Sequence, residues 1–415
     1  MNILIISQYF WPESFIINQF SETLVGQGHR IVVLTGKPNY PQGELYSGYE
    51  TRGTQKEWLG EVEIIRVPLR PRKSNGAKDL FFNYISFIWS GLLRFPWLIR
   101  GKKFDVIFVF APSPITSVIP AIFLKYLKRT HLAVWVQDLW PESLSATGFI
   151  KNKTILKLVS YLVKSIYACS DTLLIQSQAF MKPLEPLASQ DKIEYFPNVI
   201  VDMQEQVTKS EVTVLPESLK VVLETHFCLV FAGNIGKAQS IETLISAADK
   251  LKEKSEIKIV FVGKGSLLEW AQEEVAKLNL ENVVFAGAFP LDTMPAIFSR
   301  AEALLVSLNS DEVFSYTIPS KVQAYMSAGR PIIASIDGEA ARIINEANAG
   351  FTCPAEDVDG LVVCIEKLIA MPRNERDSLG SAARKYFVEN FEINRQCKRL
   401  IEILEGRIGK EEVAR

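Results

Sequence analysis

The stretch "FCLVFAGNIGKAQSIETLISAADKL", residues 227–251, reads as a strand, a glycine-containing loop and a helix. Phe227–Ala232 is a short continuous apolar run, the pattern of a strand buried on both faces. The loop Gly233-Asn234-Ile235-Gly236-Lys237 lets backbone approach an oxygen-rich ligand. The following helix directs roughly half a positive charge at that ligand, and Lys237 adds a mobile full charge. One reading is a tight turn with a solvated lysine; the other is a phosphate site. A Walker loop is excluded, because that motif needs a longer loop and a hydroxyl where Ala238 stands.

The same unit recurs along the chain. "NILIIS", "RIVVLTG", "VEIIRVP", "FDVIFVFAP", "LAVWVQD", "TLLIQS" and "KIEYFPN" predict strands of a first domain. "FCLVFAG", "IKIVFVGKG", "NVVFAGAF", "ALLVSL" and "PIIASI" predict those of a second. Apolar runs separated by helical patterns mean parallel strands and an α/β fold of two Rossmann-like domains. The ligand is then expected in a cleft between them, at the strand exits. The helix "FSETLVGQGHR" stops at Gly28, a C′ glycine. Expected boundaries are residues 1–200 and 201–385, with a linker about 200–220 where "MQEQVTKSEVTVLPESLK" is polar and weakly periodic. Residues 386–415 are expected to form C-terminal helices that return to the first domain.

A chain of 415 residues favours two cores. Its net charge of −1 gives no sign of a nucleic-acid partner, but the charge is split. Residues 1–200 hold 22 Lys+Arg against 15 Asp+Glu, leaving 24 against 32 for the rest, so the first half is suited to an anionic partner. The five cysteines are scattered, as in a reducing compartment, and with three histidines a metal site is not expected. "MNILIISQYFWPE" has no basic n-region and reads as a first strand, not a signal peptide.

A second loop has the logic of the first. In "TIPSKVQAYMSAGRP", residues 317–331, Thr317 is the expected N-cap and Pro319 suits the first turn. Ser320 and Lys321 place free N–H groups and a charge at the helix start, and Gly329 ends the helix. A well-capped core helix with Tyr325 and Met326 packed inside is the other reading.

These segments, with "FVGKGSLLEWA", "VVFAGAFPLDTMPAIFSRAEALLVSL" and the first-domain "GHRIVVLTGKPNYPQG" and "VQDLWPESL", resemble the family-4 retaining glycosyltransferases of the GT-B fold. They are similar to bacterial surface-polysaccharide enzymes of the N-acetylfucosamine-transferase type. The resemblance implies a nucleotide-diphospho-sugar, UDP-linked, in the second domain and a lipid-linked saccharide acceptor in the first, with no metal or other cofactor. Gly233, Asn234, Gly236, Gln239, Thr317, Ile318, Pro319, Ser320 and Gln323 would bind the donor, with the loop Gly233–Lys237 and the helix start Ile318–Lys321 holding its diphosphate. Gly263 would join them, and Ala286, Gly287 and Phe289 would lie near the base. Glu13 of "WPES" and Asp138 of "QDLWPE" would face the acceptor. Lys237 and Lys321 would stabilise the leaving diphosphate as the sugar becomes oxocarbenium-like.

The departures from the family are specific. Its Glu-x7-Glu pair, whose second member bonds the ribose, falls on Tyr316 and Ala324. The usual Arg and Lys after the first strand become Asn234 and Gln239, and the first-domain double glycine becomes Ser14-Phe15. Gln323 is the polar neighbour of the vacant ribose position, about 100° away around the helix.

Residues 66–103 hold nine Lys/Arg and one Asp, and within them Asn83, Ser86, Ser90 and Arg94 form a narrow polar stripe on an aromatic helix. Asn83, Arg94 and Pro96 argue against a membrane span. A buried helix and an interfacial helix remain, and the expectation is that residues 78–103 dock the protein peripherally on the cytoplasmic face of a bacterial plasma membrane. A sugar-nucleotide 2-epimerase has a similar double-Rossmann cleft but no use for such a segment. A two-domain solute-binding protein would need export. A dinucleotide oxidoreductase lacks its Gly-x-Gly-x-x-Gly.

Overall fold

The computed structural model describes residues 1–73, 76–146, 150, 152–204 and 215–414. It divides into two compact units, residues 1–197 with 396–415, and residues 198–395. Of the expected linker, residues 205–214 lie outside the described residues, and the helix Glu217–Thr225 already buries Leu219 and Leu223. The return of the chain to the first unit begins inside the last helix, Ile393–Ala414. Cys397 there contacts the Phe20 carbonyl, and Arg399 donates to the Tyr195 carbonyl at 3.0 Å. The preceding helix, Arg373–Asn390, stays in the second unit, where Arg384 pairs with Asp202.

The first unit is an eight-stranded sheet: β1 (Asn2–Ile6), β2 (Arg30–Gly36), β3 (Gln55–Leu59), β4 (Val62–Val67), β5 (Val106–Ala111), β6 (His131–Val136), β7 (Thr172–Ile175) and β8 (Ile193–Tyr195). Their order is β3-β4-β2-β1-β5-β6-β7-β8, and only the β3–β4 pair is antiparallel. Strands β1, β5 and β6 bury nearly every side chain, as unbroken Ile/Val/Leu runs require. Each such side chain contributes about 1.5–3 kcal/mol. Trp135 of β6 is fully buried among Phe20, Phe108, Phe110 and Phe196, and its indole N–H donates to the Phe196 carbonyl.

The helix Ala77–Leu98 turns its polar stripe inward, opposite to a simple amphipathic surface helix. Asn83 is fully buried, accepting from Gln8 and donating to the Arg70 carbonyl, both at 2.6 Å. Ser86 accepts from the Arg70 N–H at 2.8 Å. These bonds satisfy the loops that leave β1 and β4. Phe87, Ile88 and Phe95 pack inside, whereas Phe81, Trp89, Leu93 and Trp97 stand exposed. Among the described residues no helix is long and apolar enough to cross a membrane.

The second unit has six parallel strands: β9 (Phe227–Ala232), β10 (Ile257–Val262), β11 (Val283–Gly287), β12 (Ala303–Ser307), β13 (Ile332–Ser335) and β14 (Gly350–Cys353). The order β11-β10-β9-β12-β13-β14 reverses direction between β9 and β12. Those two strands pair only at Ala303–Leu229 and Leu304–Val230, so their exits part. A crevice at the reversal point is where open α/β sheets bind ligands.

Candidate active site

Three strand exits of the second unit are laced together by backbone. Gly233 N–H donates to Val262 O at 2.9 Å, Ile235 N–H to Lys264 O at 2.9 Å, and Gly263 N–H to Gly287 O at 2.8 Å. Gly263 has φ +144°, and a Cβ there would lie 1.9 Å from the Gly233 carbonyl oxygen. The glycines of "FAGNIG" and "FVGKG" therefore serve loop-on-loop packing. Beyond them Lys237–Gln239 forms a 3-10 turn, and Ser240 at φ +43° starts the helix Ile241–Lys250. From β12 the Ser307 hydroxyl donates to Gln239 O, and Asn309 N–H to Ala238 O. The loop is thus fixed on both sides of the crevice.

The helix Ser320–Ala328 meets this loop. Tyr325, 1% exposed, accepts from Ala232 N–H at 2.9 Å at the end of β9, which sets the helix against the strand. No side chain caps its first turn, leaving amide donors for a ligand. Lys321 Nζ lies 4.1 Å from the centre of the Phe231 ring and donates to Gln239 Oε1. A Cβ built on Gly233 would be 3.7 Å from the same Nζ. Burial lowers Lys321 to about 7 from the ordinary 10.5. The sequence named Lys321 and Gln239 separately. Their pairing over Phe231 needs the β9–β12 crossover, which no local pattern encodes.

The other expected donor residues divide. Asn234 and Lys237 are exposed on the loop, Ser320 is exposed at the helix start, and Ile318 is buried under it. Ala286 and Gly287 end β11 beside Gly263, with Phe289 half-buried beyond. Thr317 is not the N-cap: Pro319 occupies that position, and the Thr317 hydroxyl turns back to the Phe314 carbonyl at the end of the short helix Glu312–Ser315. Gln323 does not face the ligand side. It is 1% exposed and donates to the Asn198 carbonyl, anchoring the chain as it enters the unit. At the vacant glutamate positions, Ala324 packs on the core, and the Tyr316 hydroxyl donates to Glu312 at 2.8 Å.

In the first unit the two expected carboxylates have different fates. Glu13 is 1% exposed, and its oxygens accept from Phe10, Asn39 and Tyr40 N–H at 3.1, 2.8 and 2.8 Å. Burial pushes its carboxyl up to about 7 against the pull of those amides. It clamps the loops after β1 and β2 and is closed off from an acceptor by burial. Glu13→Gln sets an amide NH2 against these donors. It is expected to cost about 1–3 kcal/mol of stability, measured by urea unfolding, while nucleotide-induced stabilisation persists.

Asp138 instead opens into a cavity of ≈ 320 Å³ that Tyr9, Phe15, Tyr40, Arg72, Tyr84, Ser113 and Trp140 also line. Burial raises the Asp138 carboxyl above its ordinary range, offset in part by the Ser143 hydroxyl. The cavity gathers the exits of β1, β2, β4, β5 and β6. Its sequence signals are "QDLWPE" around Asp138 and the clustering of aromatics in "SQYFWPESF" and at "PNY".

Known proteins resemble this chain in sequence and fold. The "Glycosyl transferases group 1" model matches residues 219–386, and the "Glycosyl transferase 4-like domain" model matches residues 16–199. WcaI of Escherichia coli (strain K12), named as a glycosyl transferase of colanic acid biosynthesis, is 23% identical over 94% of this chain and 97% of its own. WbjE of Pseudomonas aeruginosa, named as a glycosyltransferase, is 24% identical over 70% of this chain and 72% of its own. The solved structure of Anabaena Alr3699/HepE in complex with UDP superposes with a TM-score of 0.65 at 12% identity, covering 98% of this chain and 100% of that one.

Proposed function

The chain belongs to the glycosyltransferases of the GT-B fold, with group 1 and 4-like domains, and we propose that it transfers a sugar, with retention and without a metal, from a UDP-sugar to a lipid-linked saccharide. The product would enter a surface polysaccharide such as O-antigen, capsule or exopolysaccharide, and the sugar would be an N-acetylated deoxyhexosamine. WcaI's name supports the polysaccharide setting and the UDP held by HepE the donor. The observation that carries the reading is the meeting of Lys321, Gln239 and the Gly233 loop at the reversal point of the second sheet.

In the proposed reaction the bond from the anomeric carbon to the diphosphate breaks and one to the acceptor oxygen forms on the same face. The acceptor's proton passes to a diphosphate oxygen. Lys321, Lys237 and the amides at Ser320–Lys321 stabilise the charge that develops there, and preorganised donors of this kind contribute several kcal/mol. Asp138 orients the acceptor hydroxyl. A thermal-shift panel of UDP-, GDP-, ADP- and dTDP-sugars tests the donor, because a ligand of the folded state raises the midpoint by mass action. The reading fails if none of the four shifts it.

Docking on the cytoplasmic leaflet is the second part of the proposal. The outward apolar face of the Ala77–Leu98 helix is joined by Phe123 and Tyr126 on Ile119–Lys128 and by Leu158 and Tyr161 on Lys153–Cys169, neighbouring helices of the same unit. Across the three helices there are seven Lys/Arg and one Asp. Apolar projections among cations fit an anionic bilayer surface. The protein is expected to sediment with phosphatidylglycerol vesicles at low salt, and Trp89→Ser with Trp97→Ser is expected to weaken that by about tenfold or more. Failure of the wild type to sediment would remove the docking proposal.

A further inference from the structure

The cavity beside Asp138 also contains Arg72, a cation with no ion-pair partner among the described residues. Arg72 lies 5.0 Å from the Tyr40 ring centre and 5.7 Å from that of Tyr9, and its backbone N–H donates to buried Asn39 at 3.1 Å. The rings are themselves packed: Tyr9 stacks on Phe15 at 5.5 Å, and Tyr40 meets both at 5.7 and 5.3 Å. Arg72 Nε is buried and has no hydrogen-bond partner, and no carboxylate is within ion-pair distance of the guanidinium, among the described residues. Its neighbours are otherwise served, since Arg66 bonds Glu57 and Arg70 pairs with Asp79. A planar fork of donors beside two phenol rings, with a buried Nε–H that has no acceptor, is suited to receiving phosphate or carboxylate in two-point fashion.

We propose that this cavity is an acceptor subsite for a saccharide bearing an anionic group, in which Arg72 takes the anion and the aromatic wall takes the sugar face. The proposal rests on the reading of the first unit as the acceptor side, and it adds the acceptor's charge. Tyr84, Ser113 and Asp138 supply hydroxyl-directed groups around the same space, so one pocket has a cation for the anion, rings for the C–H face and polar atoms for the hydroxyls. The anion has two chemical sources, the phosphate that links a sugar to its lipid and the carboxylate of an acidic sugar. Their shared feature is the pair of oxygens that a guanidinium bridges. Arg72 is thus a specificity-determining residue for the charge of the acceptor.

The test measures binding without requiring transfer. The full chain is saturated with UDP, so that the donor site is filled, and titrated with glucose, glucose 1-phosphate and glucuronic acid, read by ligand-observed NMR. At least one charged sugar is expected to bind roughly tenfold or more tightly than glucose, and the better of the two identifies the source. In Arg72→Gln the preference should shrink to twofold or less, with an unchanged UDP thermal shift showing that the variant folds. Arg72→Lys should recover part of the preference, as a charge without the fork. The proposal is overturned if glucose binds as well as both charged sugars, if none of the three binds, or if the preference survives in Arg72→Gln. A UDP shift with no charge preference rejects this subsite and leaves the transferase reading standing, whereas a wild type that none of the four nucleotide sugars shifts rejects that reading.

Discussion

Lys321→Ala is expected to lower turnover by about 100- to 1,000-fold, the cost of removing one preorganised charge from a leaving group. The size follows from where the ammonium sits. It is held over Phe231 at 4.1 Å, tied to Gln239 and largely removed from water, so little reorganisation is needed when charge develops beside it. Lys237 is exposed at the head of its turn, and its alanine variant should lose less, about tenfold. Lys321→Arg should not restore the rate, because a planar guanidinium does not fit a site shaped for a point charge. Steady-state kcat on a purified acceptor measures all three. A Lys321→Ala enzyme within threefold of wild type would sink the assignment.

The same residue gives a pH dependence with a definite sign. Burial lowers Lys321 to about 7, while an unfolded lysine keeps its proton to about 10.5. Between those values the unfolded chain holds a proton that the folded chain lacks, so this residue's contribution to stability rises with pH across that window. A bound diphosphate favours the charged form and reverses the shift. UDP affinity is therefore expected to fall by up to about tenfold per unit above pH 7, with proton uptake on binding. Calorimetry at pH 8 in two buffers of different ionisation enthalpy reads the uptake, and Lys321→Ala should abolish it.

How much of this is legible in the sequence follows from what each element depends on. Twelve strands announce themselves as apolar runs because both faces are buried, and the structure has a strand at every one. Strand β3, "QKEWL", escapes because it is an antiparallel edge strand whose residues are exposed or half-buried in alternation. Strand β14, "GFTC", has four residues beginning with glycine at an edge of the second sheet, too short for a periodic signal. The loops proposed to hold the donor are readable from glycine placement. Side-chain partners are not. Glu13, Gln323 and Lys321 are alike in the sequence as polar residues near strand exits, but Glu13 and Gln323 serve backbone and Lys321 faces a carboxamide and a ring. The polar stripe of residues 83–94 shows the same limit, since periodicity finds two faces but not which one is turned inward.

Gly263→Ala is expected to damage the second unit through a single methyl. Two costs combine. The residue holds φ +144°, which side chains rarely adopt, at roughly 1–3 kcal/mol, and the new Cβ would stand 1.9 Å from the Gly233 carbonyl oxygen, a backbone atom that cannot swing aside. Gly233 is itself tied to Val262 O, so relief requires moving the loop that carries Asn234 and Lys237. Gly28→Ala isolates the first cost: φ is +87° there, but nothing lies within 4 Å of the added carbon. That variant should lose about 1 kcal/mol, a midpoint shift of roughly 2–4 °C for a unit of this size. Gly263→Ala should lose about three times as much or more, and the protein that remains folded should bind UDP more weakly. Equal midpoints for the two variants, with UDP binding intact in both, would mean that the β9 and β10 loops are not coupled and that the donor site does not depend on their contact.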